Sequence, residues 1–264
     1  MDLQLKSKTA FISGSTQGIG FAIARLLATE GAHVILNGRT TERTDTAVAR
    51  LKAEAPGANV DGIAADFGNV AQVNDLLTQL PAVDILINNV GIFELKAFAD
   101  ITDADWETFF SVNVMSGIRL SRHVLPGMLA RTWGRIVFIS SESAVNIPEN
   151  MIHYGMTKTA MLAVSSGLSK LTKNTEVTVN TILGGPTYSD GVAGTIESIA
   201  SMQQQDVDAV KQTIISTLNP TSLLQRFITP EEIANLVAYL SSPLAVATNG
   251  SALRVDGGVL NTLL

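Results

Sequence analysis

The sequence predicts an α/β fold built on a seven-stranded, mainly parallel sheet with helices on both faces. Three observations carry that expectation. Seven short apolar runs, at residues 9–12, 33–36, 60–64, 84–87, 135–140, 177–183 and 252–255, read as buried strands. Longer stretches with apolar residues at helical spacing separate them, as with Phe21, Ala24, Leu27 and Ala28 after the first run. No repeat, low-complexity tract or Pro/Gly/Ser-rich linker interrupts the alternation, so residues 1–264 read as one domain. Strands that alternate with helices call for right-handed crossovers, and such a sheet places its ligand at the carboxyl ends of the strands.

Composition narrows the function classes. Hydrophobic residues make up 46% and charged residues 16%, which describes a globular chain. A net charge of −6 offers no general attraction to phosphate backbones or anionic lipid, so neither nucleic acid nor membrane is an expected partner. With no cysteine, thiol catalysis, disulfides and cysteine-ligated zinc are excluded, and a reducing, cytoplasmic setting is compatible. The opening Met1-Asp2-Leu3-Gln4-Leu5-Lys6 is too polar for a signal peptide, and no apolar run approaches the roughly 18 residues that span a bilayer. His33, His123 and His153 are scattered with no carboxylate pair at ligand spacing, so no metal site is expected.

The chemically suggestive segments follow the strands in order. Directly after the first run lies Ser13-Gly14-Ser15-Thr16-Gln17-Gly18-Ile19-Gly20. Glycines here let a pyrophosphate approach the backbone closely, and the start of the next helix supplies unpaired N–H groups and partial positive charge. The second run leads into Asn37-Gly38-Arg39-Thr40, with no carboxylate to accept from ribose hydroxyls. Arg39 suits a phosphate instead, and Asn37, Thr40 and Thr41 offer neutral hydrogen bonds. The fifth run ends in Ser140-Ser141, and Tyr154-Gly155-Met156-Thr157-Lys158 opens a later helix. Four residues apart, the phenol and the ammonium share one face, and a nearby cation is expected to lower the tyrosine pKa. Glu142 reads as a solvated loop charge, and Trp106 and Trp133 as packing residues.

On these residues the chain resembles the short-chain dehydrogenase/reductase family, its 3-oxoacyl-reductase-like members in particular, from about Lys6 to Val259. The glycine loop matches T-G-x-x-x-G-x-G with Ser13 for Thr. Ala65-Asp66 matches the acidic position after the third strand, with Phe67 next to it. Asn88-Asn89-Val90-Gly91 matches N-N-A-G, with Val90 for Ala. Asn113, Ser141, Tyr154 and Lys158 match the catalytic tetrad, and Val255-Asp256-Gly257-Gly258 matches the ending. After the sixth strand the family's N-x-x-x-P-G is Asn180 followed by Gly184-Gly185-Pro186-Thr187, so the first proline is glycine.

The resemblance implies a Rossmann fold and interconversion of a ketone and a secondary alcohol by hydride transfer. Tyr154 would be general acid and base, Lys158 would depress its pKa and hold the nicotinamide ribose, and Ser141 would polarise the carbonyl. Asn113 would hold a water that links Lys158 to solvent. Gly14, Ser15, Thr16, Gln17, Gly18, Ile19, Gly20, Arg39, Asp66, Phe67, Asn89, Gly91, Tyr154, Lys158, Gly185 and Thr187 would contact the cofactor. Gly38 stands where NAD-dependent members carry Asp, so Arg39 points to NADP(H), with NAD(H) second. The resemblance also implies a substrate lid at 188–224, where Val192, Ile196, Ile199, Met202, Val207, Val210, Ile214 and Leu218 suggest helices with one apolar face. It further implies a homotetramer that pairs helices at about 103–131 and 153–173 and uses the apolar ending 259–264. A non-catalytic dinucleotide-binding sensor is the alternative reading, since a fold does not fix a function.

Overall fold

The computed structural model describes residues 1–263. Its seven strands are β1 (Thr9–Ile12), β2 (His33–Gly38), β3 (Val60–Ala64), β4 (Ile85–Asn88), β5 (Trp133–Ser141), β6 (Glu176–Gly184) and β7 (Ala252–Val255). They form one sheet in the order β3-β2-β1-β4-β5-β6-β7. Every pairing is parallel, so the sheet is wholly rather than mainly parallel. The expected strands are all present, and the edges move by a residue or two. Asp84 stands just outside β4 because its carboxylate accepts the Thr9 N–H at 3.0 Å, which closes the start of β1.

Alternation along the strands sorts side chains onto two covered faces. Ala10, Ile12, Val34, Leu36, Ile85 and Ile87 point to one core, which they share with α1 (Gly18–Thr29), α2 (Thr41–Glu54) and α9 (Pro230–Ser241). Phe11, Ile35, Leu86, Ile136 and Phe138 point to the other. That face is covered by α3 (Val70–Gln79), α5 (Ser116–Ala130) and α6 (Ile152–Ser169). The apolar spacing of α1 is core-facing as read, since Phe21, Ala24, Leu27 and Ala28 are all buried.

Between the faces, Arg135 is fully buried in β5. Its guanidinium donates to the carbonyls of Ser242, Gly134 and Glu176 and lies over the Trp133 ring at 4.7 Å. Burial lowers its pKa to about 10, which leaves the cation charged at neutral pH.

Two departures from the expected helices matter for the site. The stretch 103–131 is not one α-helix. After α4 (Asp103–Phe109) a π-helical turn, Phe110–Met115, widens the ladder before α5 begins. That wide turn carries the buried Asn113, and π-turns recur where a polar side chain must leave the regular spiral. The segment 188–224 forms α7 (Asp190–Gln203) and α8 (Val207–Leu218). Ile196, Ala200 and Val210 pack together there with Val192, Ile199, Val207 and Ile214, yet Met202 and Leu218 are 77% and 68% exposed. Both stand in the last turn of their helices, beyond the point where the two apolar faces meet.

Candidate active site

The strand order reverses at β1, so the loops after β1 and β4 run in opposite directions and leave a crevice between them. Polar side chains shape the glycine loop there. The Ser13 hydroxyl donates to the Ile87 carbonyl and accepts from the N–H groups of Asn89 and Val90. Asn89 returns its amide to the carbonyls of Ser13 and Gly14 at 3.0 and 2.8 Å. Asn37 accepts the Gly14 N–H at 3.0 Å and donates to the Ile63 carbonyl. Asn37, expected to face a ligand, is therefore a buried clamp on the loop. Ser15 is also turned inward, donating to the Ile12 carbonyl at 2.7 Å.

Glycine is required at three points of this loop, and Gly18 is one of them with φ +59°. Gly14 has φ +61°, and a Cβ at Gly20 would come within 2.5 Å of the Gly14 carbonyl oxygen. The Gln17 side chain makes no cap at the start of α1. This cradle fits a dinucleotide's pyrophosphate. One of the amides is engaged from afar, because the Asp190 carboxylate at the head of α7 accepts the Gly18 N–H at 2.6 Å.

The loop after β2 has a steric signature. A Cβ at Gly38 would lie 2.5 Å from Thr16 Cγ2 and 2.7 Å from Thr44 Oγ1, so no acidic side chain fits. Arg39 is exposed beside it, while Thr40 caps α2 by accepting the Arg43 N–H. Arg43 reaches back to Gln17 Oε1 at 3.4 Å and brings a second guanidinium to the glycine loop. Nothing local in the sequence marks Arg43 as a neighbour of the glycine loop. The helical turn from Thr40 is what delivers this one.

After β3, Asp66 accepts the Gly68 N–H and Phe67 buries its ring in the core, so only the Phe67 backbone is free to meet a ligand. Gly91 is flanked by both Lys158 and Asn113, for a Cβ there would meet Lys158 Nζ at 3.4 Å and Asn113 Oδ1 at 3.7 Å. Beyond β6, Gly185 donates to the Val255 carbonyl, and Thr187 Oγ1 donates to the Gly185 carbonyl. A Cβ at Gly185 would fall 2.6 Å from Asp256 Cα, which explains the glycine.

The four residues of the tetrad converge at the carboxyl end of β5. Ser141 is the last residue of that strand, accepts the Ser143 N–H at 3.1 Å and acts on the Tyr154 phenol. Tyr154 and Lys158 stand one turn apart near the start of α6. The Lys158 ammonium donates to the Ile139 carbonyl at 3.0 Å and lies 5.5 Å from the Tyr154 ring centroid. Asn113 donates to the Ile92 carbonyl and to Thr157 Oγ1, and accepts the Ile92 N–H at 2.8 Å. Thr157 in turn donates to the Tyr154 carbonyl, so α6 and the π-turn are locked together.

Electrostatics correct one expectation. Tyr154 is not shifted toward neutrality: burial pushes its phenol up to about 12, against the Ser141 hydrogen bond, which pulls it down. Lys158 does not counter this because its ammonium is itself buried and turned to Ile139, and burial lowers it to about 8. Glu142 is a second correction. It is not a solvated loop charge but is buried, with its carboxyl raised by burial and by the charge of Asp256. His153 is sealed beneath the site, edge-on to Trp106 and tilted against Phe109 at 4.0 Å, and its burial lowers its pKa. Among the described residues no cluster of His, Asp or Glu is arranged to hold a metal.

The chain is similar to several known proteins. The short chain dehydrogenase family model matches residues 8–200. An uncharacterized oxidoreductase of Bacillus subtilis, YvrD, is 46% identical, with the whole of both chains covered. The 3-oxoacyl-[acyl-carrier-protein] reductase of Aquifex aeolicus is 31% identical over 98% of this chain and all of its own. L-sorbose reductase from Gluconobacter frateurii, solved with NADPH and L-sorbose, superposes with a TM-score of 0.93 at 32% identity over both entire chains. The fold and the family match together make this chain a Rossmann-fold oxidoreductase. It belongs to the short-chain dehydrogenase/reductase family.

The depressed lysine has a consequence for stability. Its folded value of about 8 lies below the ordinary 10.5, so the unfolded chain holds the proton more tightly. Stability therefore rises as pH climbs from about 8 toward 10, above which Tyr154 opposes the trend. Urea midpoints of the wild type should gain on those of Lys158→Met across that window. Parallel curves for the two proteins would show that Lys158 is not held in a depressed state.

Proposed function

We propose that the chain reduces a ketone to a secondary alcohol with NADPH, and runs the reverse reaction with NADP+. The observation that carries this reading is the convergence of Ser141, at the end of β5, with Tyr154 and Lys158, which stand one turn apart on α6 with the Lys158 ammonium 5.5 Å from the Tyr154 ring centroid. When bound, the nicotinamide supplies the hydride; the protein supplies position and the proton. Ser141 orients the carbonyl oxygen toward Tyr154. With its pKa near 12, Tyr154 is a neutral phenol at physiological pH, the form that donates a proton to the oxygen as it becomes alkoxide. Lys158, still protonated below about pH 8, stands one turn along α6, where it would hydrogen-bond the nicotinamide ribose. Gly91, between Lys158 and Asn113, leaves room for the ribose.

The glycine cradle and the amides of α1 would hold the pyrophosphate, and entry of that anion requires Asp190 to leave Gly18. Because Asp190 heads α7, the same movement would open the segment 188–224, which supports its reading as a lid over the substrate. Arg39 and Arg43 favour the 2′-phosphate of NADP(H) over NAD(H), as does the closed space at Gly38. NADPH in the similar L-sorbose reductase supports the same preference.

Assembly fits this reading too. Ile118, Leu125, Pro126 and Leu129 of α5 line an apolar groove with Val164 and Leu168 of α6, a face suited to a second copy in a homotetramer. In the expected C-terminal contact, Leu264 lies outside the described residues.

NADPH oxidation monitored against a panel of ketones tests the activity itself. Failure with every ketone would leave the non-catalytic sensor. With a working substrate, Tyr154→Phe should keep NADPH binding by fluorescence titration and lose about 10² to 10⁴-fold in kcat; a near-wild-type rate would refute the role of the phenol. Arg39→Ala should raise KM for NADPH about tenfold and change that for NADH far less. Equal changes would show that Arg39 does not read the phosphate. Light scattering at micromolar concentration should return four copies of the chain, and a monomer would refute the assembly.

A further inference from the structure

The helices α7 and α8 form a unit with a core of its own. Ile196, Ala200 and Val210 are buried against one another, flanked by Tyr188 and Phe227, and this cluster is separate from the two cores that cover the sheet. Backbone bonds tie down both ends of the unit. Tyr188 donates its N–H to the Ile228 carbonyl where the chain enters, and Leu223 and Leu224 donate theirs to the Gly257 carbonyl where it leaves.

Between these ties the polar side chains of the two helices bond within the unit. Thr195, Ser198, Thr213 and Ser216 donate to helix carbonyls, and Lys211 pairs with Asp208. Among the described residues, one side chain of α7 and α8 reaches beyond the unit by a hydrogen bond. Asp190, the first residue of α7, accepts the Gly18 N–H through Oδ2 at 2.6 Å.

Around that contact the fit is open. A cleft lined by Phe21, Arg25, Arg50, Tyr188, Pro230 and Glu231 runs beside it and separates the head of α7 from α1 and α9. The start of α7 also carries Gly191 and Gly194, where an added Cβ would meet nothing within 4 Å. Neither glycine answers to a packing demand, and each leaves its turn of helix easier to bend.

The Gly18 amide lies at the start of α1, where the positive end of the helix and its unpaired N–H groups favour an anion. A carboxylate resting there takes part of the place that a pyrophosphate would fill. Like charges at such range repel, so the two anions exclude one another. No cation of the cleft is left to reconcile them, because Arg25 and Arg50 are already paired with Glu54 and Glu231.

We infer that Asp190 is an intramolecular competitor of the cofactor: its carboxylate latches the α7–α8 unit onto the glycine loop, and an entering pyrophosphate displaces it and lets the unit swing on its two backbone ties. Occupation of the cofactor site thereby controls the position of the segment 188–224. This rests on the dinucleotide reading of the glycine loop and names a regulation of that site.

The test titrates inorganic pyrophosphate and NADPH into the wild type and into Asp190→Asn, with melting temperatures to confirm that the variant folds. Both ligands should bind the variant about tenfold more tightly, since the wild type must first give up a hydrogen bond to a charged group. Equal or weaker binding in the variant overturns the inference, and so does a gain for NADPH that pyrophosphate does not share. The motion is read separately. The chain has no cysteine, so Thr46→Cys on α2 and Ser198→Cys on α7, both at exposed positions, take one spin label each. Dilution with unlabelled chain isolates the distance within one copy. Pyrophosphate should lengthen that distance in the otherwise wild-type protein, and Asp190→Asn should lengthen it with no ligand added. A distance that either the ligand or the substitution leaves unmoved overturns the inference. If the protein binds NADPH but reduces no ketone, the proposed activity fails, while the titrations and the distance still answer for Asp190.

Discussion

The hydroxyl of Ser13 joins two strands whose following loops diverge, and the crevice depends on that junction. Backbone bonds from Ser13 N–H to the Ile87 carbonyl and from Ser15 N–H to the Asn37 carbonyl start the loop after β1, and side chains hold the rest of the two loops. Ser13, Asn37 and Asn89 do this with short polar groups that reach the backbone of both loops. Their bonds hold Gly14 at a positive φ and bring Gly20 against the Gly14 carbonyl, where a methyl group would not fit. These three polar residues, Ser13 and Asn37 buried and Asn89 half-buried, thus act by shaping backbone.

Burial governs the chemistry of the tetrad in a similar way. The sheet end is apolar enough to hold Tyr154 as a neutral phenol and to weaken the proton affinity of Lys158. The two shifts move in opposite directions from one cause, since low polarity disfavours tyrosinate and ammonium alike. The π-turn before α5 adds rigidity. It turns Asn113 inward, where its amide bonds both the Ile92 backbone and Thr157 and so fixes the height of α6 against the sheet.

Charge is segregated along the crevice of this acidic chain. Arg39 and Arg43 stand at the end beyond β2, while Glu142 and Asp256 stand at the ends of β5 and β7. The first end suits a phosphate and the second repels one. Asp190, on Gly18, sits at neither pole; it links the head of α7 to the glycine loop across 172 residues of sequence. A carboxylate resting on a helix N-terminus is favourable in itself, so the contact holds the α7–α8 segment against the loop until a stronger anion takes its place.

By itself the sequence determined the seven strands and their alternation with helices, because these rest on local properties, and it offered Asn113, Ser141, Tyr154 and Lys158 as the proposed tetrad through a resemblance of motifs. Apolar runs of strand length, helical spacing and a glycine-rich turn each lie within a few residues, and Tyr154 and Lys158 are one helical turn apart. Tertiary structure alone decided what depends on distant neighbours. Asn37 reads as a ligand contact until β2 buries it against Gly14, and Glu142 reads as a surface charge until β7 brings Asp256 alongside. Arg43 gains its place near the glycine loop only through the direction of α2. The π-turn at Asn113 is invisible to helical periodicity because it keeps helical dihedrals and only widens the ladder. The pKa of Tyr154 lies beyond the sequence for the same reason: spacing reports that a lysine is near, but the balance between its charge and the loss of water is set by everything packed around both groups.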